Sequence, residues 1–290
     1  MSDDSVHEWA YAKLNLFLEV TGRRDDGYHE LYTVMHEIDL CDELRLTKSD
    51  QKSLVVSDPS IPCDQNNLAY QALSALEKSV GQTLNLRMEL TKNIPAGGGL
   101  GGGSADAAAV IRGANRLFQL GLGVEAMREV AALCGSDTAF FIEGGTAVCR
   151  GRGEKVTTLS QAPSLHFVLL MPPFPLSTPD VYDALILADN VKEGYDLLSH
   201  LSIGDASATA GCLFNRLEAA ACQVAPELQH LMQSLAHADP HVSGSGSTVF
   251  FVRPDRRSAE AFAAELQDIG VGRVVVNGSA KRAKGRDEDH

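Results

Sequence analysis

The sequence has no surplus of positive charge. Its 25 lysines and arginines stand against 38 aspartates and glutamates, which gives a formal net charge of −13 at pH 7. This balance argues against a general nucleic-acid or membrane-surface binder, because phosphate backbones attract proteins rich in Lys and Arg. Any anionic ligand must therefore be held by donors that are placed locally.

Paired cysteines, long apolar runs and aromatic residues are also scarce. The six cysteines include no CxxC pair, so we expect free thiols rather than a disulfide framework. No long apolar run follows the acidic N-terminus, which argues against a signal peptide or a membrane span and predicts a cytoplasmic location. Aromatic residues make up 6% and hydrophobic residues 44% of the 290 residues, a globular profile with enough material for a full core.

Strand and helix patterns alternate irregularly along the chain. Residues 12–20 and 83–91 alternate polar and apolar side chains, as half-buried strands do, whereas residues 67–80 have helical spacing. Amphipathic strands favour antiparallel sheets over a doubly wound parallel sheet. We therefore predict an α+β fold with two domains, residues 1–160 and 161–280.

Several local elements complete this prediction. We expect separate strands near residues 28–38 and 43–46, a strand at 140–142, an irregular segment over 190–207 and a single helix over 208–223. Residues 281–290 form a charged tail in this prediction. The basic residues expected to be solvated there are Lys281, Arg282, Lys284 and Arg286.

The most informative stretch is a glycine-rich loop. Six glycines occupy the seven positions from Gly97 to Gly103, interrupted only by Leu100, and an alanine-rich helical pattern follows. Glycines let backbone N–H groups approach a ligand closely, and the free N–H groups and dipole of a helix N-terminus favour phosphate. Because Ser104 is a good N-cap residue, we expect the helix to begin there.

Two familiar phosphate loops fit this stretch poorly. A Walker A loop needs a lysine after its last glycine, and no lysine follows Gly103. The GxGxxG pattern matches at Gly97, Gly99 and Gly102, but the preceding strand is amphipathic and no buried strand ending in an acid follows. A plain flexible turn is disfavoured because so many glycines lead directly into a helix. A different loop-to-helix nucleotide site remains the best interpretation.

Four motifs, in order along nearly the whole chain, resemble those of the GHMP small-molecule kinases. They are residues 12–16 with 22–31, residues 95–105, residues 135–141 and residues 243–250. The resemblance implies a two-domain α+β fold with mainly antiparallel sheets and an active site in the cleft between the domains. It also implies ATP and Mg²⁺ as cofactors, a small-molecule alcohol as substrate, and a monomer or weak homodimer.

By this resemblance, one group of residues binds ATP. Ser104 offers its hydroxyl to a phosphate or to Mg²⁺, Asn67 and Leu68 line an adenine pocket, and Lys92 lies just before the loop. Asp106 adds negative charge near the phosphates, so we expect it to face the adenosine end. No directly ligated metal is predicted. The predicted nucleotide-binding residues are Pro95, Ala96, Gly97, Gly98, Gly99, Leu100, Gly101, Gly102, Gly103, Ser104, Ala105, Asp106, Lys92, Asn67 and Leu68.

The resemblance assigns catalysis to Asp137 and Lys13. Phosphoryl transfer needs aligned substrates, and the acceptor hydroxyl needs a base or an orienting carboxylate. Asp137 supplies that carboxylate, and a lysine within about 4–6 Å stabilises its ionised form. Considered alone, Asp137 is equally an Asx-turn residue, Lys13 a solvated strand lysine and Lys92 a solvated lysine at a strand end.

The motifs at residues 22–31 are most similar to family members whose acceptor carries a cytidine diphosphate group. His29 offers a donor and an acceptor to the edge of a base, and Tyr182 stacks on the base with Tyr28 as the opposite wall. Considered alone, Tyr182 is an ordinary core aromatic. A Gly/Ser loop over 244–247 closes over the acceptor or forms a tight turn. The predicted substrate-binding residues are Asn15, Tyr28, His29, Thr178, Tyr182, Gly244 and Ser245.

Together these features predict an ATP- and Mg²⁺-dependent kinase that phosphorylates a cytidine-diphosphate-linked alcohol in isoprenoid precursor biosynthesis. Neither nucleic acid nor membrane is an expected partner. Two alternatives remain open. One is a GHMP kinase with another acceptor, such as homoserine or a mevalonate derivative. The other is a non-catalytic ligand sensor on the same fold.

Overall fold

Two β-sheets organise the chain in a computed structural model that describes residues 4–187 and 189–282. Within those residues, the strands are β1 (Ser5–Arg23), β2 (His29–Lys48), β3 (Ser53–Val56), β4 (Leu86–Thr91), β5 (Thr146–Gly151), β6 (Lys155–Thr158), β7 (His166–Met171), β8 (Phe214–Asn215), β9 (His241–Val242), β10 (Val249–Arg253) and β11 (Arg273–Gly278). A seven-stranded sheet contains β3-β4-β2-β1-β8, with β5 on β2 and β6 on β5. A four-stranded sheet has the order β11-β7-β10-β9.

Most strand pairs are antiparallel, as the alternation of polar and apolar residues predicts; the β1–β8 and β3–β4 pairs are parallel. The long β2 pairs with β1 along its length, with β4 through residues 43–48 and with β5 through residues 31–36. The predicted break between residues 38 and 43 is wrong. Asp42 there is buried and paired with Lys92, so it does not end the strand.

Helices cover the sheets. They are α1 (Leu68–Val80), α2 (Gly102–Leu117), α3 (Val124–Ala132), α4 (Thr178–Asp183), α5 (Tyr195–Ile203), α6 (Ala206–Ala210), α7 (Glu218–Val224), α8 (Pro226–Ser234) and α9 (Arg256–Ile269). The side chain of Asn67 accepts a hydrogen bond from the Ala69 N–H at the start of α1, and Gly81 ends it in the left-handed conformation. The predicted limits of this helix are therefore confirmed.

Three predicted elements differ in the structure. Residues 140–142 form a 3₁₀ turn rather than a strand, since the Phe140 N–H bonds back to the Asp137 carbonyl. Residues 190–207 contain α5, which buries Leu197 and Leu201, four residues apart. The single helix expected over 208–223 is divided into α6, β8 and α7. Asn215 is extended there, and its amide donates to the Val242 and Gly244 carbonyls.

A shared core joins the two sheets. Leu14 and Leu16 of β1 pack in one buried cluster with Phe167 and Leu169 of β7 and with Phe250 of β10. Burial of this kind is the main favourable contribution to folding. The cluster fixes the middle of β1, which carries Lys13 and Asn15, relative to the second sheet. No helix in the described ranges is both long and apolar enough to cross a membrane.

The charged tail predicted from residue 281 agrees with the structure at Lys281, which is exposed, but not at Arg282. Arg282 is not solvated: its Nε donates to Glu37 Oε2 at 2.9 Å, and Glu37 is 1% exposed. A buried carboxylate needs such a partner, which explains why this end of the chain is held against β2. The prediction for Lys284 and Arg286 lies outside the described residues.

Candidate active site

A cavity of about 880 Å³ collects nearly all the predicted site residues. Its lining draws on β1, the turn before β2, the glycine-rich loop, the Asp137 loop, α4 and the loop before β10. Ala105 is the exception among the predicted residues. Its side chain is buried in the core, and its N–H donates to the Gly101 carbonyl at 2.9 Å, so neither is available to a ligand.

The N-cap of α2 lies three residues before the predicted one. The helix begins at Gly102 after an N-cap at Gly101, which has a left-handed φ of 74°, and Ser104 lies in the first turn. Ser104 is therefore not the N-cap. The N–H groups of a first helical turn have no intrahelical partner. Gly102, Gly103 and Ser104 line the cavity, so these donors are placed beside it.

The glycine-rich loop is locked against the segment 243–248. Gly99 has a φ of +73°, and a Cβ at this position would lie 2.0 Å from the Ser243 carbonyl oxygen. The Gly99 carbonyl accepts from the Ser243 hydroxyl at 3.0 Å, and the Gly98 carbonyl accepts from the Thr248 N–H at 3.2 Å. The 243–248 segment is buried throughout. It is a packed wall here, with Gly244 and Ser245 on the cavity, rather than an open lid.

Lys13 connects the glycine-rich loop to Asp137. Its Nζ donates to Asn15 Oδ1 at 2.6 Å and to the Gly99 carbonyl at 2.7 Å, and it lies 3.7 Å from Asp137 Oδ2. Lys13 is 3% exposed, so the alternative of a solvated strand lysine is wrong. Burial lowers the pKa of Lys13, while the charge of Asp137 acts in the opposite direction.

Asp137 lies on a supported loop. The Asp137 side chain keeps 28% exposure toward the cavity. The 3₁₀ turn after it is held from behind, because Arg112 Nη1 donates to the Phe141 carbonyl at 2.5 Å and Arg282 Nη2 donates to the same oxygen at 3.0 Å. Two guanidinium groups thus fix the backbone that positions this carboxylate.

A second charged cluster, formed by Lys92, Asp42 and Asp106, lies beside the first turns of α2. Lys92 Nζ lies 2.5 Å from Asp42 Oδ2 and 2.6 Å from Asp106 Oδ2. Asp42 also accepts the Ile94 N–H at 2.8 Å. Burial raises the pKa of Asp106 to about 7, with Lys92 opposing this. Lys92 is buried rather than solvated, and both it and Asp106 line the cavity.

Aromatic side chains form the other end of the cavity. The rings of His29 and Tyr182 stack with centroids 4.8 Å apart and an interplanar angle of 26°. Burial, then the positive charge of Arg23, lowers the pKa of His29, which keeps the imidazole neutral at pH 7. The hydroxyls of Thr178 and Ser245 lie 2.8 Å apart and join α4 to the 243–248 wall.

Two arginines on this cavity were not predicted. Arg23 and Arg152 both line its aromatic end, and the Arg152 guanidinium lies 4.8 Å from the centroid of the Tyr28 ring. In the sequence Arg23 stands beside Arg24 in a charged segment and Arg152 lies between two glycines, and neither setting differs from that of a solvated arginine. Within the described ranges, no group of three or more His, Cys, Asp or Glu side chains is arranged to hold a metal ion.

Comparisons with known proteins agree with this geometry. Residues 67–145 match the family described as "GHMP kinases N terminal domain". Over 247 residues the chain is 39% identical to the 4-diphosphocytidyl-2-C-methyl-D-erythritol kinase of Shouchella clausii, an alignment that covers 83% of each chain.

Solved structures give the same result. A crystal structure of 4-(cytidine 5'-diphospho)-2C-methyl-D-erythritol kinase has a TM-score of 0.78 and 31% identity, covering 95% of this chain and 100% of that one. Homoserine kinase from Cytophaga hutchinsonii has a TM-score of 0.77 at 19% identity, with 97% and 96% covered, and shows the fold alone. The predicted family and α+β fold are confirmed: the chain belongs to the 4-diphosphocytidyl-2-C-methyl-D-erythritol kinase family within the GHMP kinases.

Proposed function

We propose that this ATP-dependent small-molecule kinase phosphorylates the 2-hydroxyl of 4-diphosphocytidyl-2-C-methyl-D-erythritol, in the non-mevalonate route to isoprenoid precursors. One observation carries the proposal. The Lys13–Asp137 pair lies between two chemically different ends of one cavity, a backbone loop suited to phosphates and an aromatic end suited to a base. The relatives' names support this acceptor over homoserine or mevalonate derivatives.

The nucleotide end would hold the triphosphate mainly through main-chain N–H groups at the start of α2. Mg²⁺ usually keeps several waters and binds one or two protein oxygens together with substrate phosphates. The Ser104 hydroxyl, on the cavity, fits such a ligand, whereas Asp106 is already paired with Lys92. Bound there, the ion would neutralise charge on the phosphates.

The transfer itself needs alignment and one proton acceptor. In the proposed step the acceptor oxygen bonds to the terminal phosphorus, the bond from that phosphorus to the ADP oxygen breaks, and the hydroxyl proton passes to the Asp137 carboxylate. Lys13, 3.7 Å from that carboxylate and bonded to the Gly99 carbonyl, stabilises negative charge between the two substrates.

The aromatic end would bind the cytosine. A neutral His29 has one ring nitrogen that donates and one that accepts, which suits the mixed edge of this base. Tyr182 and Tyr28 supply aromatic surface, and stacking on a base is typically worth about 1–3 kcal/mol. His29 and Tyr182 stack on each other. A base that binds the face of the Tyr182 ring covered by His29 would therefore require the two rings to separate.

A coupled ADP-release assay tests this function. The wild-type enzyme should release ADP with 4-diphosphocytidyl-2-C-methyl-D-erythritol and show no comparable rate with homoserine or mevalonate. CMP should compete with the acceptor and not with ATP. Asp137→Asn is the control that ties the signal to this site. Turnover of homoserine or mevalonate instead, or no competition by CMP, would contradict the proposed acceptor.

Three sequence-based predictions accompany this proposal. They are a cytoplasmic location, a monomer or weak homodimer, and a domain boundary near residue 160 with the site in the cleft between the domains. Light scattering of the purified protein would measure the oligomeric state.

A further inference from the structure

Arg152 and Tyr28 form a pair at the mouth of the cavity. The guanidinium carbon of Arg152 lies 4.8 Å from the centroid of the Tyr28 ring, within the range of a cation–π interaction. Tyr28 is 51% exposed, so few other groups restrict its ring. Both side chains line the cavity, and arginine is a minority charge in this acidic chain.

The backbone that carries Arg152 is fixed against the catalytic loop. The turn between β5 and β6 holds Gly153 at a φ of +124°, where a Cβ would lie 3.0 Å from the Ser136 carbonyl oxygen and 3.4 Å from Asp137 Oδ1. The Arg152 N–H donates to Glu154 Oε2 at 2.6 Å, which closes the turn. The arginine therefore projects from a point directly in contact with the Asp137 loop.

We propose that Arg152 is a positioning residue that acts through Tyr28. Its guanidinium holds the exposed ring in place, so that Tyr28 stands as a preformed wall of the acceptor-base site at a set distance from Asp137. A ring ordered before binding loses less conformational freedom when the base stacks on it, which improves affinity without a new contact. This inference rests on the proposed function, because it assumes an acceptor that carries a base.

The same geometry allows one competing role. An arginine on the cavity could instead bind the diphosphate of the acceptor directly, without any involvement of Tyr28. The two roles differ in one measurable property. A residue that acts only through Tyr28 has no effect once the tyrosine ring is removed, whereas a direct phosphate ligand keeps its effect.

A double-mutant cycle on the full-length enzyme separates them. The variants are Arg152→Met, Tyr28→Leu, their combination, and Arg152→Lys. Steady-state assays with ATP and the cytidyl acceptor give kcat and both KM values, and thermal melts monitor folding. The matched control is Arg150→Met. Arg150 is on the same β5–β6 hairpin as Arg152, and its guanidinium carbon lies 5.1 Å from the centroid of the Tyr32 ring of β2. Neither Arg150 nor Tyr32 lines the cavity.

We expect Arg152→Met to raise the acceptor KM about two- to fivefold and Tyr28→Leu to raise it about tenfold. The combined variant should match Tyr28→Leu alone, and Arg152→Lys should recover part of the loss. The ATP KM, kcat and melting temperature should stay unchanged for Arg152→Met, and the Arg150→Met control should not change the acceptor KM.

Four results would overturn the inference. The first is an acceptor KM in the combined variant that equals the product of the two single effects, and the second is an unchanged acceptor KM in Arg152→Met while the wild type is active. The third is an equal rise of the acceptor KM in Arg150→Met, and the fourth is a loss in Arg152→Met that appears in kcat alone. A wild-type enzyme that releases no ADP with the cytidyl acceptor is a different result. It refutes the proposed function, and the inference with it, before any variant is measured.

Discussion

The two ends of the cavity are built in different ways. At the nucleotide end, the glycine-rich loop contributes main-chain groups and is interlocked with the buried segment 243–248. At the acceptor end, side chains from distant segments meet: Tyr28 is half exposed, and His29 stacks on Tyr182 of α4. One end depends on backbone conformation and the other on side-chain identity.

This difference teaches where substitutions should act. At a backbone site that has no room for a Cβ, an added side chain lowers the free energy of unfolding, because protein interiors are close-packed. A site lined by partly exposed aromatic side chains tolerates changes of shape better, and such changes alter substrate affinity. Stability measurements should therefore report on the first end and acceptor KM values on the second, while Asp137 between them affects the chemical step.

Asp137→Asn should have the largest effect. Loss of the general base or orienting carboxylate should lower kcat about 10²–10⁴-fold, since amide nitrogen and oxygen cannot take the proton. ATP binding, followed by fluorescence titration of a nucleotide analogue, should remain nearly unchanged because the main-chain donors are untouched. Wild-type turnover in this variant would remove Asp137 from the mechanism.

Gly99→Ala should be next, and it tests the backbone end. The alanine Cβ would lie 2.0 Å from the Ser243 carbonyl oxygen at a φ of +73°, so overpacking and strain add. We expect a loss of about 3 kcal/mol or more in the free energy of unfolding, measured by urea titration.

Gly121→Ala is the matched control for this stability loss. Gly121 has a φ of +70°, but a Cβ added there would meet no atom within 4 Å, so only the conformational cost of about 1–2 kcal/mol should appear. Equal losses in the two variants would show that the interlock with segment 243–248 contributes nothing.

Tyr182→Leu tests the side-chain end. If the ring stacks on the base, its loss should weaken acceptor binding by about 1–3 kcal/mol. The acceptor KM should therefore rise roughly 5- to 150-fold, and the ATP KM should stay unchanged. Tyr182→Phe keeps the ring and should behave almost as the wild type does. A parallel rise of both KM values in Tyr182→Leu would contradict the separation between the two ends.

Asp106→Asn should have the smallest effect. Lys92, 2.6 Å away, balances the Asp106 charge, and Asp42 stays to pair with Lys92 in the variant. We expect the ATP KM to change less than tenfold in steady-state assays. A larger fall in KM would mean that this carboxylate opposes the phosphates and does not face the adenosine end.

Local chemistry explains what the sequence could predict. Asn67 and Gly81 cap α1 through bonds within a few residues, and the glycine run indicates its loop without any tertiary information. Polar alternation likewise predicts the antiparallel strands. The roles of Lys13 and Asp137 were predicted only through family resemblance, because their pairing joins segments far apart in the chain.

Three of the misses depend on long-range contacts. Phe214 and Asn215 leave a helical pattern because they pair with β1 and bond to residues 242 and 244. Arg152 looks like a solvated turn residue until the fold places it over Tyr28. An aspartate at position 42 suggests a break between two strands, because the sequence does not show that the fold pairs it with Lys92.

The contact between Arg282 and Glu37 has a practical consequence for handling the protein. Truncation after residue 278 would remove the guanidinium and leave a carboxylate in the interior whose other partner is the Gly145 N–H. Breaking a buried pair in this way typically costs about 3–5 kcal/mol. An affinity tag, a fluorophore or a surface-immobilisation linker should therefore be attached beyond residue 282, where it leaves the contact between Arg282 and Glu37 intact.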